Sequence, residues 1–328
     1  MSPQHKRLST NRPLLADRIF LGVLACVYVG YLVVFGPSLY ASLVGSSNTI
    51  VEHVENTSSS AALAHWTKVS MRAAVEADQQ SSNAPDMTQE SNTSTSNATQ
   101  QEGQPPLNGN TEYPLSTVGK IFFTRGSLNY ACSGTAVISS NRSVVDTAGH
   151  CLYMYGDWSE NLIFCPLYDN GNTPYGCWAA HDLEAPSDWI DAKPNDYHHD
   201  MGMAIVAPNS EGYLTDLVGG AGWAYNQSTD QSFYAYGYPA AYPFDGQTRQ
   251  ACDQGSTGTL WQHGGGTVIS IPCNMTGGSS GGPWFIKMGN NWYLDGHNDF
   301  ISSLQPGHMF SPYYDDTWYD LYTKAQDA

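Results

Sequence analysis

Residues 273–284 of the chain, Cys-Asn-Met-Thr-Gly-Gly-Ser-Ser-Gly-Gly-Pro-Trp, decide the fold class and the chemistry. The four glycines permit positive φ angles and leave backbone N–H groups uncovered by side chains. Amides of this kind, here those of Gly278 and Ser280, can bind the oxyanion that forms when a hydroxyl attacks an acyl carbon. A phosphate-binding loop is the alternative, but the stretch matches neither GxxxxGK[ST] nor GxGxxG. The stretch therefore predicts Ser280 as a nucleophile.

A serine nucleophile needs a base and an acid, and two other sequences supply them. A serine hydroxyl is a poor nucleophile until an imidazole accepts its proton and a buried carboxylate holds that imidazole in the right tautomer. Thr147-Ala148-Gly149-His150-Cys151 places His150 after a small-residue turn, although a structural role for a histidine at a strand end is the alternative. Asp200 precedes the apolar run 201–206, which puts its carboxylate at the edge of a buried strand. The competing acids lie in polar, loop-like sequence: Asp182, Asp188, Asp191 and Asp196.

The order His150, Asp200, Ser280 resembles the trypsin/chymotrypsin-like serine peptidases over about residues 113–328. Subtilisin-like enzymes and α/β-hydrolases use different orders. Residues 273–284 are more similar to the branch that contains the glutamyl endopeptidases and related secreted trypsin-like peptidases. The resemblance implies an all-β fold of two six-stranded antiparallel barrels with the site in the cleft between them. It also implies hydrolysis of peptide bonds in protein or peptide substrates through an acyl-enzyme, with no metal or cofactor.

The chain departs from the trypsin pattern in two places that bear on activation. Ser279 stands before the nucleophile, where trypsins carry an Asp that pairs with a newly freed amino terminus. The domain opens with Val118-Gly119-Lys120-Ile121 rather than Ile-Val-Gly-Gly. Activation through that buried ion pair is therefore not expected.

The substrate pocket also departs from the trypsin pattern. Asn274 lies six residues before the nucleophile, where trypsins place an acid, so a pocket for Lys or Arg lacks its counter-charge. Glutamyl endopeptidases place a His after a Gly-x pair, and this chain has Asn298 at that position, with His297 beside it. We therefore assign Asn274, His297 and Asn298 to the pocket. An ordinary polar role is the alternative for His297.

Short apolar runs separated by Gly, Pro, Asn and Asp support the all-β assignment. Strands are predicted at 120–124, 131–138, 144–147, 162–165, 203–206, 232–236, 268–271, 284–287 and 292–294. At the C-terminus, Asp315 or Asp316 can cap a helix. One face of that helix carries Trp318, Leu321, Tyr322 and Ala325.

The cysteines indicate an oxidising compartment. The chain has 7 Cys, of which Cys26 lies in an apolar segment, so the domain holds an even number, as exported disulfide-bonded domains do. About 15 pairings are possible for this number, and we predict that nearest neighbours pair. The predicted disulfides are Cys132–Cys151, Cys165–Cys177 and Cys252–Cys273. Zinc is the alternative use of cysteine, but the Cys-x-x-Cys ligand spacing does not occur, and we predict no metal.

The N-terminal third differs in composition from the domain. Residues 1–18 are basic, and the uncharged segment 19–44 is long enough to cross a hydrocarbon core of about 30 Å. We expect a signal anchor with a cytoplasmic tail, or alternatively a cleaved signal peptide, and either one exports the domain. Residues 45–112 are rich in Ser, Thr, Asn and Gln and predict an unstructured stalk. Within it, residues 61–77 can form one weak helix, and a pro-segment docked on the domain is the alternative.

The charge excludes one broad class of function. The chain has 13 Lys and Arg against 30 Asp and Glu, a net charge of -17, which argues against nucleic-acid binding because phosphate contacts need clustered cations. The sequence therefore predicts an extracellular serine endopeptidase, either secreted or tethered to the membrane. A catalytically silent protease-like binding or adhesion module at the cell surface is the alternative. An esterase that uses the same residues is a third hypothesis.

Overall fold

The computed structural model describes residues 49–76, 80–81, 88–89, 98–105, 112–191, 196–263 and 266–328. Within these ranges, no helix combines the length and the apolar character needed to cross a membrane. The predicted cytoplasmic tail, 1–18, and the predicted signal anchor, 19–44, lie outside the described residues.

Short strands with few helices follow one another along the chain. The N-terminal segment, residues 49–105, contains β1 (Ile50–Val54), α1 (Ser59–His65), α2 (Lys68–Ala73), β2 (Val75–Glu76), β3 (Gln80–Ser81), β4 (Thr88–Gln89) and β5 (Thr99–Gln101). The first half of the domain contains β6 (Val118–Arg125), β7 (Leu128–Val137), β8 (Val144–Thr147), α3 (Gly149–Leu152), β9 (Tyr153–Met154), β10 (Asp157–Trp158), β11 (Glu160–Pro166), β12 (Trp178–Pro186), α4 (Ser187–Asp191), β13 (Gly202–Val206) and α5 (Leu214–Val218). The second half contains β14 (Gly222–Tyr225), β15 (Ser232–Gly237), β16 (Gln250–Thr257), β17 (Thr259–His263), β18 (Gly266–Pro272), β19 (Pro283–Met288), β20 (Asn291–His297), β21 (Ile301–Ser302), β22 (His308–Pro312) and α6 (Asp316–Asp327).

Six strands of the first half close into an antiparallel barrel. Hydrogen-bonded neighbours run in the order β12, β11, β6, β7, β8, β13, and β13 pairs back onto β12. Alternate residues of β6 point to opposite sides, as strand geometry requires. Ile121 and Phe123 therefore pack with Val145 and Phe164 in one core cluster, whereas Phe122 packs in another. Both sides of β6 are buried, which explains why consecutive residues, Ile121, Phe122 and Phe123, are all apolar.

The second half forms two further sheets of six strands each, which also include β3, β4 and β5 of the N-terminal segment. One has the order β16-β15-β19-β20-β14-β5, and the other has the order β3-β21-β22-β18-β17-β4. Their facing side chains form a separate core that includes Phe233, Ile269, Ile271 and Trp284, all of which are buried. The all-β class that the sequence predicts is confirmed, with one closed six-stranded barrel followed by these sheets.

The C-terminal helix is also confirmed. The Asp315 carboxylate caps α6 by accepting a hydrogen bond of 2.8 Å from the backbone N–H of Thr317. The four predicted apolar residues, Trp318, Leu321, Tyr322 and Ala325, are all buried. Because Trp318 Nε1 donates to the Asp146 carboxylate on β8 at 2.8 Å, the helix is tied to the first barrel.

The described parts of the N-terminal segment contact the domain, whereas its composition predicts an unstructured stalk with a docked pro-segment as the alternative. The expected single helix is two short helices that meet at Trp66, where Thr67 begins α2 with a capping box. The Trp66 ring is buried 5.4 Å from the Phe122 ring, and its Nε1 donates to the carbonyl oxygen of Asn161 at 2.8 Å. One tryptophan buries more apolar surface than several small residues, so a segment of mostly polar composition can still contact the domain.

The same segment adds strands to sheet edges in both halves of the domain. β1 pairs with β12, β2 with β7, β4 with β17 and β5 with β14. β3 pairs in parallel with β21, with Gln80 opposite Ile301. Residues 48–328 accordingly form one compact unit.

All three predicted disulfides are present: Cys132–Cys151, Cys165–Cys177 and Cys252–Cys273. The first joins β7 to α3 and therefore fixes the backbone next to His150. Each disulfide closes a loop of a length that the chain-entropy model associates with about 3 kcal/mol of stabilisation.

Candidate active site

Two neighbouring strands of the first barrel bring His150 and Asp200 together. β8 leads into α3, which carries His150, and Asp200 lies two residues before β13, which pairs with β8. The Nδ1 of His150 donates to Asp200 Oδ2 at 2.9 Å, and the backbone N–H of His150 donates to Asp200 Oδ1 at 2.6 Å. A Cβ at Gly149 would lie 3.0 Å from Asp200 Oδ1, so the small residue before His150 permits this approach.

His150 and Asp200 are both buried, and their surroundings determine which of the two groups is ionised. His150 is 3% exposed and Asp200 is fully buried. Burial disfavours the ionised form of Asp200, but the charge of His150 and its hydrogen bonds outweigh this effect and lower the pKa of the carboxyl. Because the carboxylate accepts the Nδ1 proton, the other nitrogen of the neutral imidazole, Nε2, is left with a lone pair that can accept a proton.

The glycine-rich loop of the second half packs against the same part of the first barrel. The backbone N–H of Ser133 donates to the carbonyl oxygen of Ser280 at 2.7 Å, and Cys151 Sγ lies 3.9 Å from that oxygen. Gly281 has φ of +78°, and a Cβ there would lie 2.0 Å from Thr147 Oγ1. The loop thus requires glycine where it meets the end of β8, which places Ser280 beside the segment that carries His150.

The side chain of Ser280 is buried against Asp299. It is 1% exposed, and its Oγ donates to the backbone carbonyl oxygen of Asp299 at 3.3 Å. The side chain of Asp299 lies near the imidazole, with 3.7 Å between its Oδ1 and His150 Nδ1. The structure therefore brings Ser280, His150 and Asp200 into one region together with Asp299, which sequence reasoning did not select.

Backbone hydrogen bonds and glycine conformations define the fold of the loop. The N–H groups of Ser279, Gly281 and Gly282 donate to carbonyl oxygens at 3.2, 2.7 and 2.9 Å. Gly278 has φ of +91°, a conformation that residues with a Cβ rarely adopt. A Cβ at Gly278 would also lie 2.9 Å from the carbonyl oxygen of Tyr238. The loop conformation around Gly278 and Ser280 therefore depends on glycine.

A pocket of about 380 Å³ lies next to this loop. Its lining includes Asn274 and Thr276 before the nucleophile, together with Ile301, Ser302 and His308. Asn274 thus lines a cavity, and its role in binding substrate stays a prediction. His308 begins β22, and its Nδ1 lies 3.4 Å from Ser270 Oγ. Nothing in the local sequence singles out His308, because the turn that brings it to the pocket depends on tertiary packing.

The structure places His297 and Asn298 elsewhere than in that pocket. Both side chains are fully buried. Nε2 of His297 donates to the carbonyl oxygen of Asp200 at 3.0 Å. The side-chain amide of Asn298 donates to the carbonyl oxygens of Tyr236 and Ser279 at 2.8 and 3.2 Å. These two residues therefore support the backbone of the site, and their assignment to the substrate pocket is corrected.

Asp182 also differs from the sequence expectation, which placed it in a loop. It lies on β12, where its carboxylate meets those of Glu52 and Glu184. Lys324 of α6 pairs with this cluster, with its Nζ 3.2 Å from Glu184 and 2.5 Å from Glu52. A cation of the chain itself thus offsets part of the negative charge.

The fold and the sequence both resemble solved serine proteases. The thermostable serine protease AL20 from an extremophilic microorganism is 36% identical, with 65% of this chain and 98% of that chain covered and a TM-score of 0.59. The protease Anisep from Arthrobacter nicotinovorans is 35% identical, with 69% of this chain and 100% of that chain covered and a TM-score of 0.58. Neither a protein-family model nor a curated protein matches the chain.

Proposed function

Because the chain belongs to the trypsin-like serine proteases, we propose that it is an endopeptidase that cleaves peptide bonds through Ser280, His150 and Asp200. One observation carries this assignment. The buried Asp200 carboxylate accepts the Nδ1 proton of His150 at 2.9 Å, beside the loop that holds Ser280. This arrangement leaves Nε2 of the neutral imidazole as the proton acceptor that a serine nucleophile needs.

The reaction then proceeds in two halves. Ser280 Oγ attacks the scissile carbonyl carbon while His150 Nε2 takes the hydroxyl proton, and the Asp200 carboxylate stabilises the imidazolium that forms. The amides of Gly278 and Ser280 bind the oxyanion, and each such donor lowers the barrier by about 3 to 4 kcal/mol. His150 next gives its proton to the leaving amine, which produces the acyl-enzyme. A water molecule, deprotonated by the same imidazole, hydrolyses that ester and restores Ser280.

Within the trypsin-like family, the proposed assignment to the glutamyl endopeptidase branch is based on the pocket next to the glycine-rich loop. Its polar lining offers the Asn274 amide, the Thr276 and Ser302 hydroxyls and the His308 imidazole. Among the residues that line it there is no Asp or Glu, so a Lys or Arg side chain of a substrate would be buried without a counter-charge. An acidic or amide side chain would instead find hydrogen-bond donors. We therefore expect Glu, Asp or Gln before the cleaved bond.

Export of the enzyme is the third part of the proposal. Three disulfides are rare in reducing compartments and support an extracellular location. The basic residues 1–18 and the apolar segment 19–44 would provide the export signal. If that segment is not cleaved, it would also tether the enzyme to the membrane.

Turnover of defined substrates tests the proposal. The full chain should hydrolyse peptides and the corresponding esters, and Ser280→Ala should hydrolyse neither. Hydrolysis of esters without any hydrolysis of peptides would make the protein an esterase. A folded wild-type chain that hydrolyses neither would favour a binding module and overturn the proposal.

A further inference from the structure

A second buried carboxyl group lies at the candidate active site. Asp299 is 2% exposed, and its Oδ1 lies 3.7 Å from His150 Nδ1. The ligating atoms of Asp299, Asp200 and His150 all lie within 4.8 Å of one another. The Asp299 carboxyl is therefore a close neighbour of the Asp200 carboxyl. The site therefore holds two carboxyl groups around one imidazole.

The backbone at Asp299 is held on both sides, which fixes where its carboxyl can go. The N–H of Asp299 donates to the carbonyl oxygen of Phe310 at 2.9 Å, and the N–H of Asn298 donates to that of Gly282 at 2.8 Å. The carbonyl oxygen of Asp299 accepts the hydrogen bond from Ser280 Oγ. Asp299 thus connects the glycine-rich loop that holds Ser280 to β22, and its side chain lies next to the His150–Asp200 pair.

The charges in this space decide the protonation of the two carboxyl groups. Two carboxylates that lie within 4.8 Å of each other in a buried site repel each other, so holding one proton between them is favourable. The titratable groups that face the pair are His150 on α3 and, through the Asp200 carbonyl, His297 on β20. Asp200 accepts two hydrogen bonds from His150, and its lowered pKa marks it as the ionised member. Of the two carboxyl groups, Asp299 is therefore the protonated one.

We propose that Asp299 is a positioning residue, which carries a proton in the resting enzyme and donates it in a hydrogen bond to the Asp200 carboxylate. This contact holds Asp200 in the orientation in which it accepts from His150 Nδ1. It also keeps the site at one negative charge, which limits how strongly the imidazole retains a proton taken from Ser280. The inference depends on the proposed roles of Ser280, His150 and Asp200.

Three variants of the full chain separate this role from others. Asp299→Asn keeps a donor of similar shape, because the amide can donate to Asp200 as the protonated carboxyl does. Asp299→Ala removes the donor. Asp295→Asn is the matched control, since Asp295 is an equally buried carboxyl on β20, 3% exposed, outside the proposed machinery. The measured quantities are kcat, KM, the pH profile of kcat/KM and the infrared absorption of protonated carboxyl groups at neutral pH.

Asp299→Asn should keep kcat within about threefold of wild type, whereas Asp299→Ala should lose about 10- to 100-fold in kcat with little change in KM. The infrared difference between wild type and Asp299→Asn should show the loss of one protonated carboxyl. Any fall of kcat/KM at alkaline pH that comes from ionisation of Asp299 should be missing in Asp299→Asn. Asp295→Asn should retain the wild-type kcat and pH profile.

Two results would overturn the proposal. An Asn variant as slow as the Ala variant would mean that a negative charge is needed at Asp299. An unchanged infrared spectrum in Asp299→Asn would mean that Asp299 carries no proton, and this second result decides the matter even if Asp299→Ala does not fold. Failure of the proposed function looks different, because the wild-type chain itself would then not hydrolyse peptides.

Discussion

The Nε2 of His297 donates a hydrogen bond of 3.0 Å to the backbone carbonyl oxygen of Asp200. On its other side, Nδ1 lies 2.8 Å from Tyr314 Oη, and that phenol donates to the Asp146 carboxylate at 2.8 Å. Asp146 also accepts from Trp318 of the C-terminal helix. A continuous buried chain of hydrogen bonds therefore runs from α6 to the residue that orients His150.

This position of His297 makes a first prediction. In His297→Leu, the buried carbonyl of Asp200 loses its donor, so the free energy of unfolding should fall by about 1 to 3 kcal/mol. Activity should fall for all substrates by the same factor, because His297 does not line the pocket. Denaturant unfolding and kcat/KM for peptides that differ at one side chain measure both effects. Unchanged stability with an altered preference would instead place His297 in substrate binding.

The pocket makes a second prediction, at His308. Replacing the imidazole in His308→Gln removes the one group of the lining that can carry positive charge. We expect kcat/KM for a peptide with Glu before the cleaved bond to fall about tenfold relative to the Gln peptide, or about 1.4 kcal/mol. The free energy of unfolding should change little. Equal effects on the two peptides would rule out His308 as a carboxylate-binding group.

The carboxylate cluster on β12 makes a third prediction, about stability and pH. Burial raises the pKa of Glu184 to about 7 and that of Asp182 to about 6. The folded chain therefore keeps protons that the unfolded chain releases, and the free energy of unfolding should decrease as pH rises towards about 7. Above that pH, both states are deprotonated and the contribution of these groups levels off.

Glu184→Gln tests this because an amide cannot ionise. The variant should lose less stability than wild type between about pH 5 and about pH 8, as measured by thermal unfolding at each pH. Glu211→Gln is the control, since Glu211 is exposed and its variant should follow the wild-type curve. Parallel curves for wild type and Glu184→Gln would show that Glu184 ionises normally in the folded chain.

The anchoring of the N-terminal segment makes a fourth prediction. Trp66→Ala removes a buried ring and its hydrogen bond to Asn161, which should weaken docking of the segment by about 3 to 5 kcal/mol. Limited digestion by an added protease should then cut residues 49–105 faster than in wild type. Val69→Ala is the control, because Val69 lies in the same segment but is 78% exposed. Equal digestion of both variants would mean that Trp66 does not hold the segment.

Much of the fold could be predicted because local patterns agree with it. The run 120–124 falls inside β6, and 144–147 coincides with β8, since most of their residues are β-branched or aromatic. β12 was missed because it contains His181, Asp182 and Glu184, which are typical of loops. Glu184 pairs there with Lys324, which lies far along the chain and which no local pattern connects to β12.

Some residues of the candidate site can likewise be predicted from local sequence, and others cannot. Glycines next to Ser280 and His150 indicate an unusual backbone conformation. The apolar run after Asp200 indicates that its carboxylate lies at the edge of a buried strand. Asp299 and His308 have no such neighbours, and their places depend on how β20, β21 and β22 pack against the nucleophile loop. His297 and Asn298 are instead buried, where they donate to backbone carbonyl oxygens of residues that are distant in sequence, and local sequence does not reveal such tertiary contacts.

Covalent labelling of the nucleophile tests the central claim most directly. The full chain is treated with a fluorophosphonate that reacts with activated serines, and the modified residue is located by peptide mass spectrometry. We predict one adduct, on Ser280, with none in Ser280→Ala and strongly slowed formation in His150→Ala, since the hydroxyl depends on the imidazole for its reactivity. A folded wild-type chain that forms no adduct, or forms it at another serine, would contradict the account.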